Sequence, residues 1–324
     1  MIAQAETLLP VLAQKHPAAI SARKAAILYH KGIIFAYKSE LDQALDCHQQ
    51  SLALREEIGN KQDIAWSLTY IGWIFSLKGD FDRALEYSWK SLALREEVGY
   101  KLVLGWTHNG IGNIYRLKGE LNQALEHYQQ TLDLQKEINN KFVFAWALNG
   151  IGTVYRLKGE LNLALNYLHQ SLTEYKILGY KQYIAMSLTN LGQIHRQQGD
   201  LNQALDFYQQ SLTLYEELGN KFLVSETLFF LVSVATDMDS PELAHRFLEQ
   251  LKQLNHREEN KIIDHRFRVA EGLVLKMRIR TRDRVKAEEL FELVVDEEVL
   301  DHEATVVALL NLCDLYLTEL HISG

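Results

Sequence analysis

The chain has 324 residues, of which 23% are charged, and its formal net charge is −8 at pH 7. This acidic balance argues against an overall nucleic-acid-binding or anionic-membrane-binding surface, although it leaves room for a local basic patch. Cys47 and Cys313 stand far apart and form no Cys-x-x-Cys pair, so we expect neither a disulfide framework nor a zinc site. No stretch approaches about eighteen uninterrupted apolar residues, so we expect no membrane span and a cytoplasmic location.

The N-terminal part of the chain predicts a short capping helix over residues 1–17, followed by a repeated pattern. The segment GNIYRLKGELNQALEHYQQTL starts at Gly112, and its counterparts start forty residues apart, at Gly32, Gly72, Gly152 and Gly192. Self-similarity at such a period indicates an array of supersecondary units, each of which buries its apolar face against its neighbours. Six such repeats fit between residues 18 and 256, and in the first of them Ser39 stands at the turn-glycine position.

Each repeat predicts two helices joined by a tight turn, because two apolar patterns of helical spacing flank a break such as Lys118-Gly119-Glu120. Glycine at the break can end the first helix in a left-handed conformation. Another glycine lies inside each first helix, at a cost of about 1 kcal/mol relative to alanine, so we expect close helix contact there. These in-helix glycines are Gly72, Gly112, Gly152 and Gly192, and the predicted N-caps of first helices are Asn60, Asn140 and Asn220.

The pattern loosens after residue 220. The turn of the sixth repeat is expected at Asp239-Ser240-Pro241, where proline can open the next helix. A divergent seventh helix pair over residues 257–300 has its turn predicted at Thr281-Arg282-Asp283. The last segment, 301–324, is predicted to be the first helix of a further repeat, which favours either a longer protein or a second copy that covers this end. A natural capping helix is the alternative.

The order of residues within each repeat resembles the tetratricopeptide repeat: a large aliphatic residue followed by Gly, an aromatic residue three later, a turn Gly, then Ala and another aromatic residue. The usual period is about 34 residues, and the forty-residue form is similar to the arrays of the Pins/LGN polarity proteins, kinesin light chains and prokaryotic tetratricopeptide signalling proteins. HEAT and armadillo repeats share the period but match these Gly and Ala positions less well. The resemblance covers roughly residues 20–256. It implies an all-α, right-handed superhelical solenoid of antiparallel helix pairs, whose first helices line a concave groove.

Polar and aromatic side chains form a stripe on each first helix, opposite its apolar side. The resemblance places these stripes on the groove wall. Asparagine can pair with the main chain of a bound peptide, arginine with a carboxylate, and tryptophan can anchor an apolar side chain. The candidate binding residues are Trp66, Thr69, Trp73, Trp106, Asn109, Asn113, Arg116, Trp146, Asn149, Arg156, Thr189, Gln193 and Arg196, with Thr153 and Met186 at matching positions. The alternatives are packing of the tryptophans between neighbouring first helices, and a structural role for the arginines at helix C-termini.

Other chemistry-bearing residues form no recognisable catalytic or metal-binding motif. The basic run from Lys276 to Lys286 could contact an acidic partner, but a solvated helix end paired with its neighbour is the preferred interpretation. Scattered histidines at aromatic repeat positions are predicted to be packed side chains; they are His48, His127, His169 and His195.

The sequence thus predicts a non-enzymatic interaction scaffold without cofactors. Its expected partner is a protein or peptide, acidic or with a C-terminal carboxylate, rather than nucleic acid or a membrane. Two alternatives stay open. The chain could be the sensor arm of a larger signalling or transcriptional regulator, or a structural array that self-associates through its C-terminal helix.

Overall fold

The computed structural model describes residues 17–38, 40–99, 101–258, 260–278, 280–297 and 301–323. The predicted capping helix, apart from Pro17, and the turn residue Ser39 lie outside these ranges. The described residues form fifteen α-helices. In the first half of the chain these are α1 (Pro17–Tyr37), α2 (Leu41–Ile58), α3 (Lys61–Leu77), α4 (Phe81–Val98), α5 (Lys101–Lys118), α6 (Leu121–Ile138), α7 (Lys141–Leu157) and α8 (Leu161–Leu178). They continue as α9 (Lys181–Gln197), α10 (Leu201–Glu217), α11 (Lys221–Asp237), α12 (Pro241–Glu258), α13 (Lys261–Lys276), α14 (Thr281–Asp296) and α15 (His302–Ser323).

The chain divides into two compact units, Met1–Glu174 (unit 1) and Tyr175–Gly324 (unit 2), with the boundary inside α8. In unit 1, α1 packs on α2, α3 on α4 and α5 on α6, while the neighbouring first helices α3, α5 and α7 also contact one another in turn. In unit 2, α9 packs on α10, α11 on α12 and α13 on α14, and α15 contacts both α13 and α14. The predicted fold class, an all-α solenoid of antiparallel helix pairs, is confirmed within each unit.

Glycine closes the turn inside the repeats, as predicted. Gly119 has φ of 85° and donates its N–H to the Arg116 carbonyl at 3.1 Å, while the Glu120 N–H reaches the Tyr115 carbonyl at 2.9 Å. A left-handed residue at this point satisfies the last carbonyls of the helix, and glycine adopts that conformation without steric cost. The sixth repeat uses Asp239 instead, at φ 49°.

Asparagine begins the first helices, again as predicted. The side-chain oxygen of Asn60 accepts hydrogen bonds from the N–H groups of Gln62 and Asp63, and Asn140 caps α7 in the same way. Asn220 accepts one such bond at the start of α11. These caps satisfy N–H groups that the first turn of a helix leaves unpaired.

The in-helix glycines mark the points where paired helices approach most closely. A Cβ atom at Gly72 would lie 3.0 Å from the carbonyl oxygen of Ala84, and one at Gly152 would lie 2.7 Å from Cγ of Leu168. The predicted close contact is therefore confirmed, and it explains why the repeats keep a residue that weakens helices.

The turn predicted at residues 281–283 is wrong. Helix α13 already ends at Lys276, the chain is extended at Arg280, and Thr281 to Asp283 form the first turn of α14. An acidic residue such as Asp283 is favourable at this end of a helix because the N-terminal N–H groups carry partial positive charge. The predicted last helix is present as α15, and the Asp301 carboxylate accepts the Ala304 N–H at 3.0 Å.

Candidate functional site

The stripes predicted on α3, α5 and α7 form what we call the first-helix face of unit 1, because these helices lie side by side. Trp106 stacks on Phe142 with ring centroids 5.1 Å apart, and its edge meets Trp146 at 5.3 Å. Both tryptophans are half-buried. They therefore pack between neighbouring first helices, as the alternative interpretation of the sequence held, and still present part of their rings to solvent.

The tryptophans of α3 differ in their accessibility. The guanidinium of Arg95 covers the Trp66 ring at 4.5 Å from its centroid, and this face leaves only a narrow crevice beside it. Trp73 is 36% exposed, and its ring packs edge to face with Tyr70 at 5.8 Å between centroids. Trp73 is consequently the most exposed aromatic side chain among the candidate residues in unit 1.

A buried arginine in the second helix organises the polar interior beneath this face. Arg95 donates through Nη1 to the Val103 carbonyl at 3.4 Å and to the Thr107 hydroxyl, and through Nη2 to the Thr69 hydroxyl at 3.0 Å. Burial lowers the pKa of Arg95 to about 10, which reflects a guanidinium withdrawn from water. Thr69 is therefore part of an internal network.

The same device occurs one repeat earlier. Arg55 donates to the Asp63 carbonyl at 2.8 Å and to the Ser67 hydroxyl at 2.9 Å. Sequence reasoning missed both arginines, although their recurrence at forty-residue spacing was a signal that could have identified them.

The candidate asparagines face mainly inward. Asn109 is fully buried, and its Nδ2 donates to the Val143 carbonyl at 3.1 Å, which links α5 to α7. Asn149 is 5% exposed, and its carbonyl accepts the hydroxyl of the buried Thr153 at 2.9 Å. Asn113 is half-buried and accepts the Tyr128 hydroxyl at 2.7 Å. Among the three, only Asn113 combines a defined partner with partial exposure.

The candidate arginines occupy three different environments. Arg116 is half-buried next to the Tyr128 hydroxyl, and no carboxylate of the described residues forms an ion pair with it. Arg156 is half-buried at the end of α7. In unit 2, Nε of Arg196 lies 2.6 Å from the Asp237 carboxylate, which joins α9 to α11. Arg196 is thus already neutralised.

The lysines at these helix ends form ion pairs with acidic residues. Lys118 lies 2.9 Å from both Asp82 and Glu120, and Lys78 pairs with Asp42 of the preceding repeat. These pairs lie at the surface, where water screens the charges, so they contribute little to stability.

Unit 2 contains a cleft of about 340 Å³ between α9 and α11, which we call the α9–α11 cleft. The candidate residues Thr189 and Gln193 line it, together with Met186. The Thr189 hydroxyl points inward, since it lies 2.7 Å from the Ser211 hydroxyl and bonds the Ala185 carbonyl at 3.1 Å. Sequence reasoning missed the residues that α10 and α11 contribute, because they lie outside the stripes; they include Tyr215, Glu226 and Phe230.

Three of the six basic residues of the run have partners within unit 2, in agreement with the preferred interpretation. Lys276 lies 2.6 Å from Asp314, Arg284 donates to the Leu315 carbonyl at 2.8 Å, and Lys286 lies 2.8 Å from Glu271. The remaining arginines, which line a second cleft of about 330 Å³, are Arg278, Arg280 and Arg282.

The histidines follow the prediction with one exception. His48 is fully buried, His127 is 5% exposed, and His195 stacks on Phe207 at 5.3 Å. His169 is exposed, so the prediction that it is a packed side chain is wrong. It lies on the solvent side of its helix, where no apolar group is needed for packing. In the part of the chain that the structure describes, no group of three His, Cys, Asp or Glu side chains could hold a metal. None of the described helices is long and apolar enough to cross a membrane.

Comparisons with known proteins agree with this architecture. The family model described as MalT-like TPR region matches residues 77–321, more than half of the chain, and a tetratricopeptide repeat model matches residues 23–97. A search of curated proteins gave no match.

Several solved structures share the fold. Aspartyl phosphate phosphatase F from Bacillus subtilis is 14% identical with a TM-score of 0.66, and the match covers 89% of this chain and 74% of that one. A signal transduction ATPase with numerous domains and a tetratricopeptide repeat sensor, from Pyrococcus horikoshii, is 12% identical with a TM-score of 0.64. That match covers 93% of this chain but only 48% of the other. A Rap protein complexed with Competence and Sporulation Factor is 14% identical with a TM-score of 0.58, covering 84% and 81% of the two chains.

Proposed function

This chain belongs to the family of MalT-like tetratricopeptide repeat regions, and on that premise we propose that it is a non-enzymatic scaffold that binds a peptide or protein segment on the first-helix face of unit 1. Similar proteins give a precedent, since a Rap protein of the same fold is described in complex with Competence and Sporulation Factor. The proposed ligand is acidic or ends in a free carboxylate.

Arg116 is the observation that carries the proposal. It is half-buried on the same stripe as Trp106 and Asn113, and no described carboxylate neutralises it. A guanidinium can pair bidentately with a carboxylate, and such a pair is stronger when it is partly removed from water. A ligand carboxylate would therefore find a charge that the protein has left unpaired in an otherwise acidic chain.

Tryptophan side chains supply the apolar part of the proposed interface. Trp73 is exposed on α3, and Trp106 and Trp146 present partial ring surface on α5 and α7. A micromolar complex requires about −8 kcal/mol, and exposed ion pairs of about 0.2–1 kcal/mol each cannot supply it. Burial of aromatic surface by the ligand has to contribute most of the free energy.

The test is a screen of random peptides with free carboxyl termini against the whole chain, followed by matched variants. We expect selected peptides to be enriched in acidic residues or to depend on their terminal carboxylate. Arg116→Gln should abolish that preference, whereas Lys118→Gln, which removes a lysine already paired with two acids, should not. Trp73→Ala should weaken binding more than Trp89→Ala, because Trp89 is similarly exposed, at 42%, but lies on a second helix. The proposal is refuted if each variant and its control have the same negligible effect on binding.

A further variant neutralises Arg116 without replacing it. Asp237 pairs with Arg196 from a position 41 residues later, and the position 41 residues after Arg116 is Leu157, which is 47% exposed. Leu157→Asp should place a carboxylate beside Arg116 and remove the acidic preference. Retention of that preference would show that Arg116 does not recognise the ligand's charge.

A second candidate function is the sensor arm of a larger signalling or transcriptional regulator. The observation that favours it is the likeness to the Pyrococcus protein, which is described as carrying a tetratricopeptide repeat sensor and of which the match covers 48%. A natural reading frame in which an effector domain adjoins this region would support the sensor role, and a frame without one would exclude it.

A further inference from the structure

The charged group of the α9–α11 cleft in unit 2 is acidic, whereas the candidate group in unit 1, Arg116, is basic. Its lining combines aromatic and amide side chains with one carboxylate. Among the described residues that line it, Glu226 is the one charged group. About a third of the Glu226 side chain, 31%, remains exposed. A cleft of about 340 Å³ accommodates one long side chain with its adjoining main chain rather than a folded partner.

The charges beneath the cleft leave Glu226 incompletely compensated. Arg266 is 3% exposed and donates through Nε to Asp301 at 2.5 Å. Its Nη1 donates to the Phe222 carbonyl and the Ser225 hydroxyl at 2.8 and 2.9 Å. Only Nη2 reaches Glu226, at 3.3 Å. One guanidinium therefore faces two carboxylates, so Arg266 cannot compensate both when both are ionised, and the residual negative charge acts more strongly in a partly dehydrated site.

The electrostatics of Glu226 agree with this count. Burial raises the pKa of its carboxyl to about 7; Arg266 opposes that rise, while Asp301 and Glu303 add to it. A cation in the cleft would favour the ionised carboxylate and would relieve this cost.

A second acceptor in the cleft has no donor among the described residues. Oε1 of Gln193 is buried and accepts no hydrogen bond from the described residues. A buried acceptor without a partner costs about 1–3 kcal/mol, so a ligand that donates there is favoured. The half-buried ring of Tyr183 supplies surface for the aliphatic part of such a ligand, and aromatic faces also attract cations. Tyr215 and Phe230, each 2% exposed, form the floor of the cleft.

We propose that the α9–α11 cleft of unit 2 receives a lysine or arginine side chain of a peptide ligand, with the Glu226 carboxylate as its counterion and Gln193 as a further acceptor. The proposal rests on the peptide-binding function above and assigns a separate, basic determinant to the ligand. It also gives Gln193 a binding role, whereas Arg196 is withdrawn from ligand binding by its pair with Asp237.

The same random peptide screen tests this assignment with different variants. We expect basic residues to be enriched among the selected peptides. Glu226→Gln should weaken binding of a selected lysine peptide about tenfold, or about 1.4 kcal/mol, and replacement of that lysine by norleucine should have the same effect on the wild-type chain. Glu242→Gln is the matched control, because Glu242 is an exposed carboxylate on α12, outside the cleft.

A gain-of-charge variant keeps the test informative if Glu226→Gln does not fold. Gln193→Glu adds a carboxylate to the cleft and should tighten binding of the same lysine peptide severalfold. The cleft assignment is refuted if the selected peptides show an acidic preference that depends on Arg116 but no enrichment in basic residues. It is also refuted if Gln193→Glu leaves the binding of the lysine peptide unchanged. In either case the proposed function stands. If no peptide is retained, both fail.

Discussion

Two glycines at the same repeat position provide a matched test of how the first helices pack. Gly110 in α5 and Gly150 in α7 are forty residues apart, and both lie inside helices. A Cβ atom at Gly110 would meet nothing within 4 Å, whereas one at Gly150 would lie 2.4 Å from Cζ of Tyr128. Tyr128 is fully buried, and its hydroxyl is held by Asn113 at 2.7 Å, so its ring has little freedom to move.

Alanine at the two positions should therefore have opposite effects. Gly110→Ala should stabilise the fold by about 1 kcal/mol, because alanine restricts the unfolded chain and favours the helix. Gly150→Ala gains the same stability from helix propensity and from the restricted unfolded chain, but it forces Tyr128 aside, at a cost of about 1–3 kcal/mol. The difference between the variants is that cost, and it corresponds to roughly 2–4 °C in melting temperature per kcal/mol for a unit of this size.

Thermal and urea unfolding of the two variants, read by circular dichroism, gives the measurement. A double variant supplies the control: Tyr128→Leu, which introduces the residue type of Leu168 at the equivalent position one repeat later, should remove most of the penalty of Gly150→Ala. Equal stabilisation by both alanines would refute the conclusion that Tyr128 is locked between α5 and α7.

Three other changes probe stability and association. Burial, reinforced by a neighbouring guanidinium, lowers the pKa of His48 to about 4; because the unfolded chain takes up a proton near pH 6.5, stability should fall by up to about 3 kcal/mol as pH drops from 6.5 to 4. In urea titrations across the window, His48→Leu should reduce that dependence by the share of His48 and leave the share of His108, whose pKa is also lowered to about 4, and an unchanged slope would refute the assignment to His48. Arg266→Ala should cost about 3–5 kcal/mol in urea unfolding, since it leaves buried carboxylates uncompensated, whereas Arg268→Ala, at a more exposed pair, should cost below about 1 kcal/mol; similar costs would contradict the charge count beneath the cleft. If α15 mediates self-association, Leu310→Glu, at a leucine 66% exposed, should suppress the rise of scattering mass with concentration, and Leu163→Glu should not.

The repeat architecture was predictable because its signals are local and recur. Glycines at a fixed interval define turns and close contacts, so the helix pairs followed from periodicity alone. The seventh pair was placed less accurately: Thr281 looked like a turn residue but begins α14, because the turn itself has neither glycine nor proline. Where the repeat loses its signature residues, propensity alone does not locate a helix boundary.

The candidate site was less predictable because burial depends on neighbouring helices. Helical spacing showed that Thr69 and Asn109 share faces with exposed residues, but not that the Thr69 hydroxyl accepts from Arg95 or that the amide of Asn109 bonds Val143. Buried polar groups need partners, and each partner here lies on another helix, at a distance in sequence that a single-helix pattern cannot reveal. His169 illustrates the converse: it was expected to pack, but the same position in the neighbouring repeats holds Gln129 and Gln209, and its side chain is exposed.

The arginines at the ends of first helices show how one departure from the repeat changes the chemistry of a surface. Arg116 and Arg196 occupy the same register, yet only Arg196 has a carboxylate 41 residues later, because Asp237 stands where the earlier repeat has Leu157. Arg116 in unit 1 therefore has no ion pair with a described carboxylate, whereas Arg196 in unit 2 is committed to an internal pair. Once Arg196 is neutralised, Glu226 determines the charge of its cleft. The repeated residues determine the scaffold, and the positions where repetition fails determine which charges are left for a ligand.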